Sequence, residues 1–132
     1  MTELKDKTSE LEERLAELEA FFDVERLRQE AATLGEDMSR PGFWDDTEEA
    51  RMVSARFSRV QGRIDLLDGL RGRLADSGEL LELAEEDGEL LPEVEEELRW
   101  VERVLEEQEV ARLFAGEYDE GDAILTINPG AG

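Results

Sequence analysis

The segment Ser39-Arg40-Pro41-Gly42-Phe43-Trp44-Asp45-Asp46 separates two stretches of helical patterning, and its reading decides how the chain folds. Proline pre-sets φ for one central turn position and glycine admits φ > 0 at the next, so Pro41-Gly42 reads as a reversal between two helices. Two large aromatics follow at once. A turn seldom carries two rings unless they pack back onto the helices it joins. Phe43 and Trp44 are therefore read first as buried plugs, and second as an exposed anchor for a partner.

On the amino-terminal side, Leu4, Leu11, Leu15, Leu18 and Phe22 recur at helical spacing and form one apolar stripe on a polar helix of roughly Thr2 to Ala20. Asp23 can cap a continuation through Val24, Leu27, Ala31 and Leu34, with Gly35 weakening its end. One bent helix and two separate helices both fit this pattern.

On the carboxyl-terminal side, Asp46-Thr47-Glu48-Glu49 reads as a capping box: the Asp46 carboxylate accepts from the third helical amide and Glu49 reaches back. A long helix follows with the stripe Val53, Phe57, Val60, Ile64, Leu67 and Leu74, and Ser77-Gly78 is expected to stop it. A short apolar piece, Leu80, Leu81, Leu83 and Ala84, leads to a second break at Asp87-Gly88. Pro92 suits the first turn of a last helix, where Glu93, Glu95 and Glu96 complement the positive helix end. That helix is expected to turn Val94, Leu98, Val101, Leu105 and Leu113 inward, with Trp100 in the core or at its edge.

Charge separates the two long segments. Residues 47 to 75 carry Arg51, Arg56, Arg59, Arg63, Arg71 and Arg73 against Glu48, Glu49, Asp65 and Asp68, whereas residues 76 to 115 carry 15 acids against Arg99, Arg103 and Arg112. They should attract and form an antiparallel hairpin, flanking charges setting register at ~0.2 to 1 kcal/mol per exposed pair. Burial of the stripes contributes more, ~1.5 to 3 kcal/mol per large side chain. The expected fold is an all-α antiparallel bundle or hairpin of three to four helices.

Past Gly116 the pattern changes. Glu117-Tyr118-Asp119-Glu120-Gly121-Asp122 is turn-rich, and Ala123-Ile124-Leu125-Thr126-Ile127 favours a strand. A single strand cannot satisfy its own backbone groups, so the expectation is residues 1–115 as an acidic helical domain and 116–132 as a linker with the first strand of a following sheet domain.

Composition restricts function. The chain has 132 residues, 15 Lys and Arg against 37 Asp and Glu, no Cys and no His, for a net charge of -22. Such a field repels phosphate backbones, which bind through clustered cations, so little direct nucleic-acid contact is expected. Without Cys there are no disulfides or thiolate metal sites; without His the commonest general base is gone, and five serines remain with nothing to activate them. No catalytic residue, cofactor or metal site is expected. Glu85-Glu86-Asp87 and Glu95-Glu96-Glu97 lack the spacing and central glycine of a calcium loop and read as solvated faces. No apolar run reaches the ~18 residues of a membrane span, and Met1-Thr2-Glu3-Leu4-Lys5 lacks a signal peptide's apolar stretch, so a cytoplasmic location is expected.

Ser39-Arg40-Pro41-Gly42-Phe43-Trp44-Asp45-Asp46, an arginine-bearing long helix, an acidic helix, then Gly116-Glu117-Tyr118-Asp119, Asp122-Ala123-Ile124-Leu125-Thr126-Ile127 and Gly130-Ala131-Gly132 together resemble the amino-terminal part of bacterial peptide chain release factors of the type 2 branch. The resemblance spans nearly the whole chain, and it implies translation termination. Members read UAA and UGA with Ser-Pro-Phe and trigger ester hydrolysis with Gly-Gly-Gln; neither tripeptide occurs here. Asn128-Pro129 departs from the His-Ala usual before Gly-Ala-Gly-Gly, and the final glycine is absent. The resemblance therefore implies a helical docking domain that contacts protein components at the base of the large-subunit stalk of the ribosome and does not itself release peptide. Candidate partner-contact residues are Phe43, Trp44, Glu95 and Glu96. The alternative is an autonomous acidic helical adaptor, such as a nucleic-acid mimic that captures basic proteins.

Overall fold

The computed structural model describes residues 2–118 and is all-helical over them: α1 (Thr2–Phe22), α2 (Val24–Met38), α3 (Thr47–Ala84) and α4 (Leu91–Tyr118). Single 3₁₀ turns, Phe43–Asp45 and Gly88–Leu90, precede α3 and α4. The strand expected at Ala123–Ile127 lies outside the described residues. Helix α4 continues through Gly116 to Tyr118, where a turn was expected.

Helix α3 is the spine. Its 38 residues make it about 57 Å long at 1.5 Å per residue. Side-chain pairs give the direction of each neighbour. Lys5–Glu85 and Glu19–Arg71 run α1 antiparallel to the second half of α3, while Glu30–Arg56 and Arg28–Asp68 run α2 antiparallel to the first half. Arg73–Glu97 and Arg63–Gln108 make α3 and α4 the expected antiparallel hairpin. Half of the spine thus lies in a three-helix bundle with α1 and α4, and the other half extends with α2 alone.

The main core joins Leu11, Leu15 and Leu18 of α1, Leu67, Leu70, Leu74 and Leu81 of α3, and Val94, Leu98, Val101, Val104 and Leu105 of α4. Buried positions on α3 recur every three or four residues, the seam of helices packed at a shallow crossing angle. A second, smaller cluster of Ala31, Val60 and Ile64, flanked by Leu27, Leu34 and Phe57, holds α2 to α3.

Asp23 resolves the first ambiguity. It sits in the left-handed region at φ 54° and ψ 67°, and its carboxylate accepts the Arg26 amide at 3.3 Å. A positive φ breaks the α-helical path, so α1 and α2 are separate helices meeting at one residue. Gly35 does not end α2, which runs on to Met38; there the Ser39 amide and hydroxyl both donate to the Gly35 carbonyl, at 3.1 and 3.0 Å.

The reversal behaves as its chemistry requires. The Phe43 amide donates to the Arg40 carbonyl at 3.1 Å and Gly42 carries φ 81°, the positive value a Pro-Gly turn needs at its second central residue. Asp46 then caps α3 by accepting the Glu49 amide at 3.2 Å. Among the described residues, the return bond from Glu49 that would complete the box is not formed.

Two expectations are corrected. Ser77-Gly78 does not stop the helix: α3 continues to Ala84, because Ser77, Leu81 and Ala84 stay in register on the buried seam. A helical glycine costs about 1 kcal/mol relative to alanine, whereas burying one leucine contributes ~1.5 to 3, so packing wins. Within the same stretch Leu83 faces solvent. Leu113 does not point inward but is 72% exposed. Seven residues on from Leu105 the seam falls on Arg112, leaving Leu113 one position out of register. Besides the α3–α4 pairs, Arg56 and Arg71 of α3 engage acids of α2 and α1.

Candidate docking surface

The paired aromatics of the turn divide. Phe43 is buried at 5% exposure while Trp44 is 58% exposed, and the rings meet edge to face with centroids 4.9 Å apart. Phe43 plugs the end of the α2–α3 pair, and its ring holds the indole outward. Phe43 is therefore the buried plug, whereas Trp44 is exposed. Around Trp44 the exposed side chains include Asp45, Asp46, Glu48 and Glu49, giving an isolated indole in an acidic setting.

Glu95 and Glu96 are exposed on the first turns of α4. They do not join Trp44. Glu97 faces Arg73, which is 26 positions along α3 from Thr47, so the acidic start of α4 lies about 40 Å from the tip. The four candidate residues thus belong to two separate regions of one elongated body.

Ion pairs between helices shape the acidic surface. Arg14 of α1 reaches Glu109 of α4 with two bonds, Nε to Oε2 at 2.9 Å and Nη2 to Oε1 at 2.8 Å, while Lys7 reaches Glu102 at 2.6 Å. Glu102 and Glu109 are consequently held below the usual carboxylate range, chiefly by the hydrogen bonds from Lys7 and Arg14 respectively. Lys5 and Lys7, close to the start of α1, both tie it to the rest of the bundle, through Glu85 and Glu102 respectively. Sequence reasoning missed this clamp, although its signal is present: Lys7 and Arg14 are seven apart, as are Glu102 and Glu109, the repeat of two helices packed side by side in the same direction.

Aromatic and guanidinium groups meet at two further places. Arg63 lies 4.0 Å from the centroid of Phe22 and Arg112 lies 5.0 Å from that of Phe21, at the junction of α1 and α2. Burial pushes the Arg63 guanidinium down from its ordinary value. Arg73 lies 4.0 Å over Trp100, which is half-buried against the main core at the edge position expected for it.

Among the described residues no group of three or more His, Cys, Asp or Glu side chains gathers as a metal site, and no helix is long and apolar enough to cross a membrane. The clefts between helices are shallow and lined by charged side chains.

Fold and surface define a class: among the described residues, an acidic, all-helical bundle that exposes carboxylates, arginines, the Trp44 indole and scattered apolar side chains such as Met52, Leu83 and Leu113. The PCRF domain model matches residues 27–132, and the chain belongs to that family. It is 40% identical over 129 residues to peptide chain release factor 2 of Salinispora tropica, covering 96% of this chain and 35% of that protein. It is also 34% identical over 134 residues to peptide chain release factor 2 of Streptomyces avermitilis (100% and 36%), and 39% identical over 126 residues to that of Mycobacterium avium (92% and 34%). The chain spans about a third of the length of these relatives.

Proposed function

We propose that this chain is a ribosome-docking helical domain of a peptide chain release factor and acts in translation termination. The observation that carries the reading is the pairing of an acidic body with an indole 58% exposed at the end of its two-helix extension, in a chain of the PCRF domain family. A net charge of -22 disfavours ribosomal RNA and favours basic ribosomal proteins, those at the base of the large-subunit stalk in particular. Reading of UAA and UGA and ester hydrolysis are assigned to the part of the relatives' length that this chain does not span, since neither Ser-Pro-Phe nor Gly-Gly-Gln occurs in it. Its own contribution is positioning. On this reading residues 1–115 form the docking body and residues 116–132 lead to the codon-reading part.

The test is binding of the 132-residue chain to isolated stalk-base protein across a salt series. Affinity should fall as salt rises, and it should fall further when the exposed acids Glu93, Glu95, Glu96, Glu106 and Glu107 are changed to glutamine. Equal binding by that variant would refute the proposal.

A further inference from the structure

The arginines of this chain are not used evenly. Lys5, Lys7, Arg14, Arg28, Arg51, Arg56, Arg71 and Arg73 are held in ion pairs, and Arg63 and Arg112 lie over phenylalanine rings. Arg26, Arg40, Arg59, Arg99 and Arg103 make no side-chain ion pair among the described residues, although acids outnumber cations 37 to 15, and two of these five, Arg99 and Arg103, share a groove with the Trp100 ring. They stand one helical turn apart on α4 and line the same shallow groove, of about 410 Å³, together with Arg73, Trp100, Glu96 and Glu97. Of the two acids that line the groove, Glu97 is engaged by Arg73, while Glu96 has no ion pair among the described residues.

The groove is also organised in advance. Trp100 is fixed against the main core, Arg73 stacks on its ring at 4.0 Å, and both oxygens of Glu97 hold the Arg73 guanidinium at 3.1 Å. Beside this rigid floor, Arg99 and Arg103 present planar, permanently charged forks matched to carboxylates.

We propose that the Arg73, Arg99, Trp100 and Arg103 groove receives a short acidic polypeptide segment, a second docking point of opposite sign to the rest of the surface. A polypeptide is favoured over RNA because the groove is an isolated patch: exposed Glu95, Glu106 and Glu107 on the same helix would repel the continuous charge of a phosphate backbone, whereas a few carboxylates match the patch itself. Long-range repulsion from the acidic body is screened within about 8 Å at physiological salt, leaving the short contacts to decide.

The test uses the 132-residue chain with Trp44→Phe, so that Trp100 is the sole tryptophan, and a fluorescein-labelled peptide in which two glutamates are set among glycines and alanines, at about 0.15 M salt. Saturable anisotropy with a change in Trp100 emission is expected. Arg99→Gln with Arg103→Gln, both exposed and outside the core, should weaken binding on the order of tenfold or more. Arg26→Gln with Arg59→Gln removes the same charge away from the groove and should leave binding within about twofold. Absence of binding, equal loss in both double variants, or tighter binding of a single-stranded RNA hexamer would overturn the proposal.

Discussion

Arg14 and Glu109, 95 positions apart, form a two-pronged ion pair at 2.9 and 2.8 Å that ties the first helix to the last. The pair is partly shielded, with Arg14 at 22% side-chain exposure and Glu109 at 36%, so it is worth more than a fully solvated pair and less than a buried one. It makes the bundle's closure sensitive to acid. A double-mutant cycle on Arg14→Gln and Glu109→Gln should give a coupling of about 1 kcal/mol at neutral pH.

The same cycle repeated at falling pH tests the sign. The folded state holds the Glu109 pKa below its unfolded value, so the contribution is complete above the ordinary glutamate pKa of about 4.3 and is lost as the pH falls through the lower folded value. Glu102, held down first by Lys7, behaves the same way. Protonation also relieves repulsion among the many unpaired acids, which acts in the opposite direction, and the cycle cancels that shared background. A coupling that persists unchanged to about pH 2 would refute the assignment.

Ser77 is buried at 1% exposure and its hydroxyl oxygen has no hydrogen-bond partner among the described residues. Replacing it with alanine removes an unsatisfied polar group and raises helix propensity. Ser77→Ala should therefore stabilise the bundle by about 0.5 to 1.5 kcal/mol in urea unfolding. A Cβ at neighbouring Gly78 would meet nothing within 4 Å, so Gly78→Ala should add about 0.5 to 1 kcal/mol. Destabilisation by both changes would show that α3 breaks here after all.

Phe43 and Trp44 should separate in mutagenesis. Phe43→Ala empties a buried position and is expected to cost about 2 to 4 kcal/mol. Trp44→Ala forfeits mainly the edge-to-face contact, about 0.5 to 1.5 kcal/mol, yet should weaken binding to stalk-base protein more than any other single change at the tip. Chemical denaturation and binding measured on the same samples distinguish the two roles. Equal binding by Trp44→Ala would remove the indole from the proposed surface.

Helix type, the Pro41-Gly42 reversal, the Asp46 cap and most of the buried stripe follow from local chemistry: turn residues, caps and three-to-four spacing act over one or two helical turns. The all-α class was legible for that reason, and so was the acidic character of the surface. The continuation of α3 through Ser77-Gly78 was not, because local propensity argues for a stop there and only burial of Leu81 and Ala84 against other helices outweighs it.

Spacing likewise nominated Phe43 and Trp44 together, but which ring is covered depends on the packing of α2 against α3. Composition by itself determined that this protein is strongly acidic, and local residue spacing that it is helical. Tertiary structure alone decided which charges neutralise one another, placing Arg14 on Glu109 and leaving Arg99 and Arg103 without an ion pair among the described residues, because side chains distant in sequence can meet only once the helices have taken their register.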